Sequence, residues 1–518
     1  MEFHGAILAA LGQRVSIRLR DGEGFRDLLG VLQSETEVIR KDGSIENFRL
    51  EDIAFFKVVP VFNRRNEASS RLHLYETASR QVREITGDQI RIYSCGPTVY
   101  RDAHVGNMRT FLLTDLVTRA LALNNQEVIT VQNITDVGHM SDDFNPQSSG
   151  DKVLEEAARQ SLSAIEIAHR YEEKFRQDLQ LLNIAPAQKY PRASENMPSI
   201  IEAISKLFDR GFAYKGGDGN IYFDLRAFQS YGYISGNKLD ALKPGHRYEY
   251  SDDGGKKFHA DWALWKVAGA RSEMVWDSPW GKGFPGWHIE CSAMSLELLG
   301  ECVDIHIGGI DLRFPHHENE RAQTNSIAGR EVVAHWLHGE HLLFEGKKMS
   351  KSAGNVLLVS DLISQNLDPL ALRLTLLESR YRSQMDLTWN SLRAADATIQ
   401  RWRSLMQEWG GSSEVKFDSE INASIMNDLD IPRVLIRLRA IEKDPSIGNQ
   451  DKRAIFRYTD QILGLDLDKA PREILISEEA ETLIAQRNQA RAEANWSESD
   501  RLRDLLQSMG VEVQDKKS

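Results

Sequence analysis

The amino-acid sequence predicts an α/β protein in three parts, and three observations carry that prediction. Residues 1–66 alternate polar and apolar positions in short runs broken by turn dipeptides. From Gln89 a strand, a glycine-containing turn, a helix and a second strand follow in order, and the same succession returns after Val303. Beyond residue 362 the pattern is almost wholly helical. Composition sets the outer bounds. A chain of 518 residues suggests about three domains. Its 41% hydrophobic and 27% charged residues are those of an ordinary globular protein, which excludes collagen-like, mucin-like and disordered classes. No apolar run reaches the ~18 residues of a membrane span, so none is expected.

The elements follow in order. Residues 13–20 alternate with period two, and Asp21-Gly22 and Asp42-Gly43 are turn signals. Further runs at 28–32, 37–40, 45–50 and 54–60 bring the count to about five strands, which predicts a small SH3-like β-barrel over residues 1–66. Glu2 and His4 stand where a signal peptide would carry basic residues, so none is expected. A polar linker covers 63–67. The body is expected over 67–361. In it, strand 89–94 stops at Cys95-Gly96-Pro97, and a helix from Gly106 places Phe111, Leu113, Leu116, Val117, Ala120 and Leu121 at three- and four-residue spacing. Strand 128–131 completes a βαβ unit, which implies a parallel sheet. The second set has a strand at 303–307, the Gly308-Gly309 turn, a helix from Pro315 and a strand at 341–344. Between them, about 140–260 reads as an insertion with helices at 152–183 and 195–211, so the body is a split Rossmann-like sheet. A helical stem is expected at 362–410 and a helical bundle at 411–518.

Charge and cysteine content restrict the function. The net charge of −12 argues against a non-specific nucleic-acid binder and requires any RNA contact to be local. Three cysteines, Cys95, Cys291 and Cys302, make no disulfide framework, so a reducing cytoplasm is the default.

Three constellations carry chemistry. The first is the run from Pro97 to Asn107, between a strand and a helix N-terminus, where backbone N–H groups favour phosphate. There His104 can donate to a phosphate oxygen and Gly106 admits a nucleotide; a plain helix cap would use the same residues. The second is Gly346-Lys347-Lys348-Met349-Ser350-Lys351-Ser352. Its lysines and hydroxyls can hold polyphosphate, although composition alone also fits a solvated basic turn. Together the HVGN and KMSKS elements resemble the class I aminoacyl-tRNA synthetases, with Asn107 in the last place of the first element as is usual in the cysteinyl branch. The third constellation is Cys95, Cys291, His316 and Glu320. His316 and Glu320 are four apart on one helical face, and two thiolates, an imidazole and a carboxylate make a reasonable tetrahedral Zn²⁺ set. By spacing alone His288 and His317 compete as ligands. Eight of the 14 histidines lie between His259 and His341.

The runs CGPTVY, NITDV, ALWK, GWHIEC, GGIDL and HHENE, followed by the KMSKS loop, occur in the order of the cysteine–tRNA ligases, and the resemblance spans about residues 72–510. It implies zinc ligands at Cys95, Cys291, His316 and Glu320. It further implies cysteine contacts at Gly96, Thr135, Trp287 and Asp311, nucleotide contacts at Gly106 and Lys351, and catalytic roles for His104, Asn107, Lys348 and Lys351. The implied activity is ligation of L-cysteine to tRNA(Cys) with ATP and Mg²⁺ through a cysteinyl-adenylate, in a cytoplasmic monomer. Zinc would select the substrate thiolate, which a hydrophobic pocket separates poorly from an isosteric hydroxyl. Cys302 is expected in the core.

Two features depart from that family. Most members lack the N-terminal barrel, where Arg14, Arg18 and Arg20 share one strand face. The usual Gly-Thr-x-Trp tail is missing from the last residues, so anticodon contact is expected to have weakened or moved to the barrel. Two alternatives therefore stand: a ligase joining cysteine to an amino sugar, as in mycothiol synthesis, and a non-catalytic RNA-binding paralogue.

Overall fold

The computed structural model describes residues 7–8, 10–21, 24–40, 43–58, 71–137, 151–237, 255–349, 355–411, 414–472, 478–493 and 495–508. The chain divides into two compact units, Met1–Ser69 and Ser70–Ser518.

The first unit is an antiparallel sheet of β1 (Arg14–Asp21), β2 (Gly24–Ser34), β3 (Glu37–Ile39), β4 (Ile45–Asn47) and β5 (Ile53–Val58), in the order β4-β3-β2-β1-β5. Period-two alternation puts Val15, Ile17 and Leu19 on one face of β1, where they pack against Leu28, Leu32, Val38, Phe48 and Ile53. Of the three arginines on β1, only the side chain of Arg20 lies among the described ones, and it is exposed.

The second unit opens on a hairpin, β6 (His73–Glu76) and β7 (Gln81–Glu84). Its centre is a parallel sheet of β8 (Gln89–Ser94), β9 (Glu127–Gln132), β14 (Val303–Gly309) and β15 (Val333–Gly339), in the order β15-β14-β8-β9. The helix Val105–Leu123 joins β8 to β9 and the helix His316–Ala328 joins β14 to β15, so two βαβ units meet where β8 pairs with β14. Strands β10 to β13 (Ala213–Lys215, Ile221–Phe223, Ala263–Val267, Gly283–Pro285) form a separate antiparallel sheet between the two βαβ units in sequence. Helices Lys152–Gln160, Ala164–Leu181 and Met197–Asp209 fill the rest of that segment; Ser161, in a left-handed conformation, divides what periodicity joins into one helix.

Two further expectations need correction. The strand after the His316 helix is β15, whereas the expected strand at 341–344 is β16 (Leu342–Phe344). β16 belongs to a different, three-stranded sheet with β17 (Lys347–Lys348) and β18 (Met385–Leu387). β18 also interrupts the region expected to be wholly helical. The remainder is helical, with Leu370–Leu377, Trp389–Glu408, Ser419–Met426, Ile431–Lys443 and Asn449–Leu463 sharing one apolar core with the Val105 helix. Residues 478–508 form two helices, Glu478–Ala492 and Trp496–Ser508.

Candidate active site

Four segments leave the carboxyl ends of the parallel strands together, at the point where the two βαβ units meet. In open α/β sheets this is where ligands bind. Cys95 and Gly96 follow β8, Asn133 to Thr135 follow β9, Ile310 and Asp311 follow β14, and His338 is the penultimate residue of β15. Gly96 approaches β9 so closely that a Cβ would overlap the Asn133 carbonyl oxygen, and its N–H donates to Asn133 Oδ1 at 2.9 Å. Asn133 Nδ2 in turn donates to Thr135 Oγ1 at 3.1 Å. Asp311 is exposed on the turn after β14, and Trp287 starts the helix Trp287–Leu299, its ring 4.2 Å from that of His316.

The structure brings Cys95, Cys291, His316 and Glu320 together: their donor atoms all lie within 4.8 Å of one another, and all four are buried. His316 Nε2 stands 2.7 Å from Glu320 Oε1, the outcome of the four-residue helical spacing. Cys95 Sγ lies 3.6 Å from the same oxygen. Of the competing ligands, His288 hydrogen-bonds His316 through the two Nδ1 atoms at 2.8 Å, which fixes the ring that offers Nε2 to the cluster. His317 is a different matter, since its Nε2 lies 3.4 Å from Cys95 Sγ. With His306 it forms a second set, Cys95, His306, His317 and Glu320, equally compact and buried.

Burial sets the charge states. It drives the Glu320 carboxyl well above the usual range and the His306 and His317 imidazoles well below theirs. A hydrogen bond from Cys95 lowers the Cys291 thiol to about 7, while burial raises Cys95. Burial therefore disfavours charge on Glu320 and Cys95, and a divalent cation would favour the anionic forms of Glu320 and both thiols. Soft sulfur, borderline nitrogen and one carboxylate oxygen fit zinc.

His104 is the N-cap of the Val105 helix. Its Nδ1 accepts from Asn107 N at 3.3 Å and its N–H donates to Asn107 Oδ1 at 3.2 Å, a closed capping box. With Nδ1 accepting, the ring proton sits on Nε2. Burial, aided by Arg101, lowers the His104 imidazole, so it is a neutral donor at pH 7. Asn107 is thus engaged in capping. Gly106 sits beneath Met349: a Cβ on it would lie 3.0 Å from both Met349 Cε and the His104 ring. The lysine-rich loop and the HVGN turn therefore touch. Lys348 is exposed on β17, with its carbonyl accepting from Asn355 at 3.1 Å, and Lys351 lies outside the described residues.

Cys302 is exposed, contrary to the core position expected; Val303, the first residue of β14, takes the interior place. Sequence reasoning also passes over His306, His338 and Glu290. Glu290 is fully buried beside Cys291, and that burial raises its carboxyl well above the usual range. The histidine-dense stretch points to all of these residues without separating them.

Among the described residues no helix is long and apolar enough to cross a membrane. A family model described as the class I (C) tRNA synthetase catalytic domain matches residues 81–397. A second, the cysteinyl-tRNA ligase anticodon binding domain, matches residues 475–518, the end where anticodon contact was expected to have weakened or to have moved to the barrel. The chain is 39% identical over 453 residues to cysteine–tRNA ligase 1 of Burkholderia lata, covering 86% of this chain and 95% of that one. It is 37% identical over 478 residues to the cysteine–tRNA ligase of Thermus thermophilus, covering 86% and 98%. A solved Mycobacterium tuberculosis methionyl-tRNA synthetase, 14% identical, aligns over 73% of this chain and 90% of that one with a TM-score of 0.48. The two family matches and the near-complete spans of the curated relatives place this chain in the cysteine–tRNA ligase family of class I aminoacyl-tRNA synthetases.

Proposed function

We propose that the chain activates L-cysteine with ATP and transfers it to tRNA(Cys), and that Cys95, Cys291, His316 and Glu320 hold a zinc ion that recognises the substrate thiolate. The observation that carries this reading is the buried cluster of four donors at the sheet's carboxyl edge. Zinc bound there supplies a soft Lewis acid that prefers a thiolate to a hydroxyl.

The other work falls to the chain. Gly96, Thr135, Trp287 and Asp311 surround the cysteine backbone. His104 offers Nε2–H to a phosphate oxygen, and the positive end of the Val105 helix dipole favours negative charge at the same place. Gly106 keeps that approach open, and Asn107 holds the His104 ring in the donating tautomer. The cysteine carboxylate attacks the α-phosphorus of Mg²⁺-bound ATP, and Lys348 and Lys351 neutralise the charge that develops on departing pyrophosphate. The first residues form an SH3-like module ahead of the body at 67–361, stem at 362–410 and helical tRNA-binding region at 411–518.

The match over residues 475–518 supports tRNA as acceptor over an amino sugar, and supports anticodon contact at the C-terminal helices. Presenting both acceptors to the enzyme with radiolabelled cysteine tests this. Label is expected on tRNA(Cys); label on the amino sugar alone would overturn the tRNA reading.

A further inference from the structure

The cluster has more donors than one tetrahedral ion can use. Cys95 and Glu320 are common to two sets, one completed by Cys291 and His316 and the other by His306 and His317. Three separations within the second set match those of a bound metal. Zinc–nitrogen and zinc–sulfur bonds of about 2.0 and 2.3 Å imply tetrahedral edges of roughly 3.3–3.6 Å. The observed separations are His306 Nε2 to Cys95 Sγ 3.6 Å, His317 Nε2 to Cys95 Sγ 3.4 Å and His306 Nε2 to Glu320 Oε2 3.2 Å. In the first set, by contrast, His316 and Glu320 are at hydrogen-bond distance, 2.7 Å, and must part to admit an ion.

Two further observations point the same way. Glu320 turns one oxygen to each set: Oε1 faces His316 and Cys95, whereas Oε2 is buried and makes no hydrogen bond despite His306 beside it. His317 is also backed as metal-bound imidazoles are. Its Nδ1 lies 2.8 Å from His338 Nε2, and His338 Nδ1 lies 2.8 Å from Thr77 Oγ1, which fixes the ring with Nε2 toward Cys95.

We propose that a zinc-class ion in this pocket has two overlapping positions. The second, formed by Cys95, His306, His317 and Glu320, retains the ion when Cys291 or His316 is lost. This rests on the zinc reading of the first set. The two positions share two ligands and exclude each other, so the chain holds one ion. They differ in thiolate number, two against one, and that difference is visible by spectroscopy.

The test uses the full chain, loaded with zinc for metal analysis and with cobalt(II) for absorption, and with folding checked by circular dichroism. Cys291→Ser is expected to keep about one zinc per chain while its thiolate-to-cobalt band falls to about half, one thiolate remaining of two. His316→Ala is expected to keep its metal as well, and it decides the matter if Cys291→Ser fails to fold. Adding His317→Ala to Cys291→Ser should lower metal content at least about tenfold, because the second set is then also broken. A folded Cys291→Ser or His316→Ala chain without metal, or a double variant as metal-rich as the single, would overturn the second position. A wild-type chain without metal would instead overturn the zinc reading from which this one starts.

Discussion

Two glycines separate packing from chemistry. At Gly96 the obstacle to a side chain is backbone, the Asn133 carbonyl, which cannot move without parting β8 from β9. Gly96→Ala should lower unfolding free energy by about 3 kcal/mol, as overpacking does, read by urea denaturation. At Gly106 the obstacles are the end of Met349 and the His104 ring, each 3.0 Å from the added carbon. Gly106→Ala should cost under about 1 kcal/mol of stability, yet slow cysteine-dependent pyrophosphate exchange by about tenfold through a displaced phosphate donor. His338 gives a pH signature. Burial lowers its imidazole to about 3 from 6.5, so below pH 6.5 the unfolded chain takes up a proton that the folded chain refuses. Stability therefore falls with pH on this account. At pH 5 the penalty is about 2 kcal/mol, and in the metal-free protein His338→Gln should reduce the loss between pH 7 and pH 5 by that amount.

At the scale of elements, one buried guanidinium ties the Val105 helix to the helical end of the chain. Arg373 donates to Asp115 on the Val105 helix at 2.6 Å, and to the carbonyls of Leu182, Asn183 and Leu463 at 3.0, 2.9 and 2.5 Å. These carbonyls lie at two helix C-termini, where a cation is favourable. Arg373→Met would leave Asp115 with less compensation, and it should destabilise the chain by about 3–5 kcal/mol. Adding Asp115→Asn should recover part of that loss in a double-mutant cycle. Element visibility in the sequence followed from patterning. The Val105 helix was legible because its apolar residues keep helical spacing. β15 was not: His335 and His338 interrupt its apolar run, while Leu342-Leu343-Phe344 stands out and carries no sign of which sheet it joins. The zinc candidates were legible through the four-residue spacing of His316 and Glu320 and the family motifs. His306 was hidden, because one histidine in an apolar strand has no spacing to interpret, and only the parallel pairing of β8 with β14 brings it to Cys95.

At the scale of the whole molecule, the first unit has its own core, with Ile7, Val15, Ile17, Leu28 and Val38 packed together. Removing residues 1–69 should leave cysteine activation within about twofold of the full chain, as expected of an independently folded module. Loss of pyrophosphate exchange in a truncated chain that remains folded would show instead that the second unit depends on it. In the proposed reading, a zinc-class metal held at the sheet's carboxyl edge makes the chain a cysteine-activating enzyme that refuses serine. The most direct measurement is amino-acid-dependent exchange of pyrophosphate into ATP by the zinc-loaded chain, with cysteine and serine compared at equal concentration. Exchange driven by cysteine and at least about a thousandfold weaker with serine is the expected result. No exchange with cysteine, or comparable exchange with both, would contradict it.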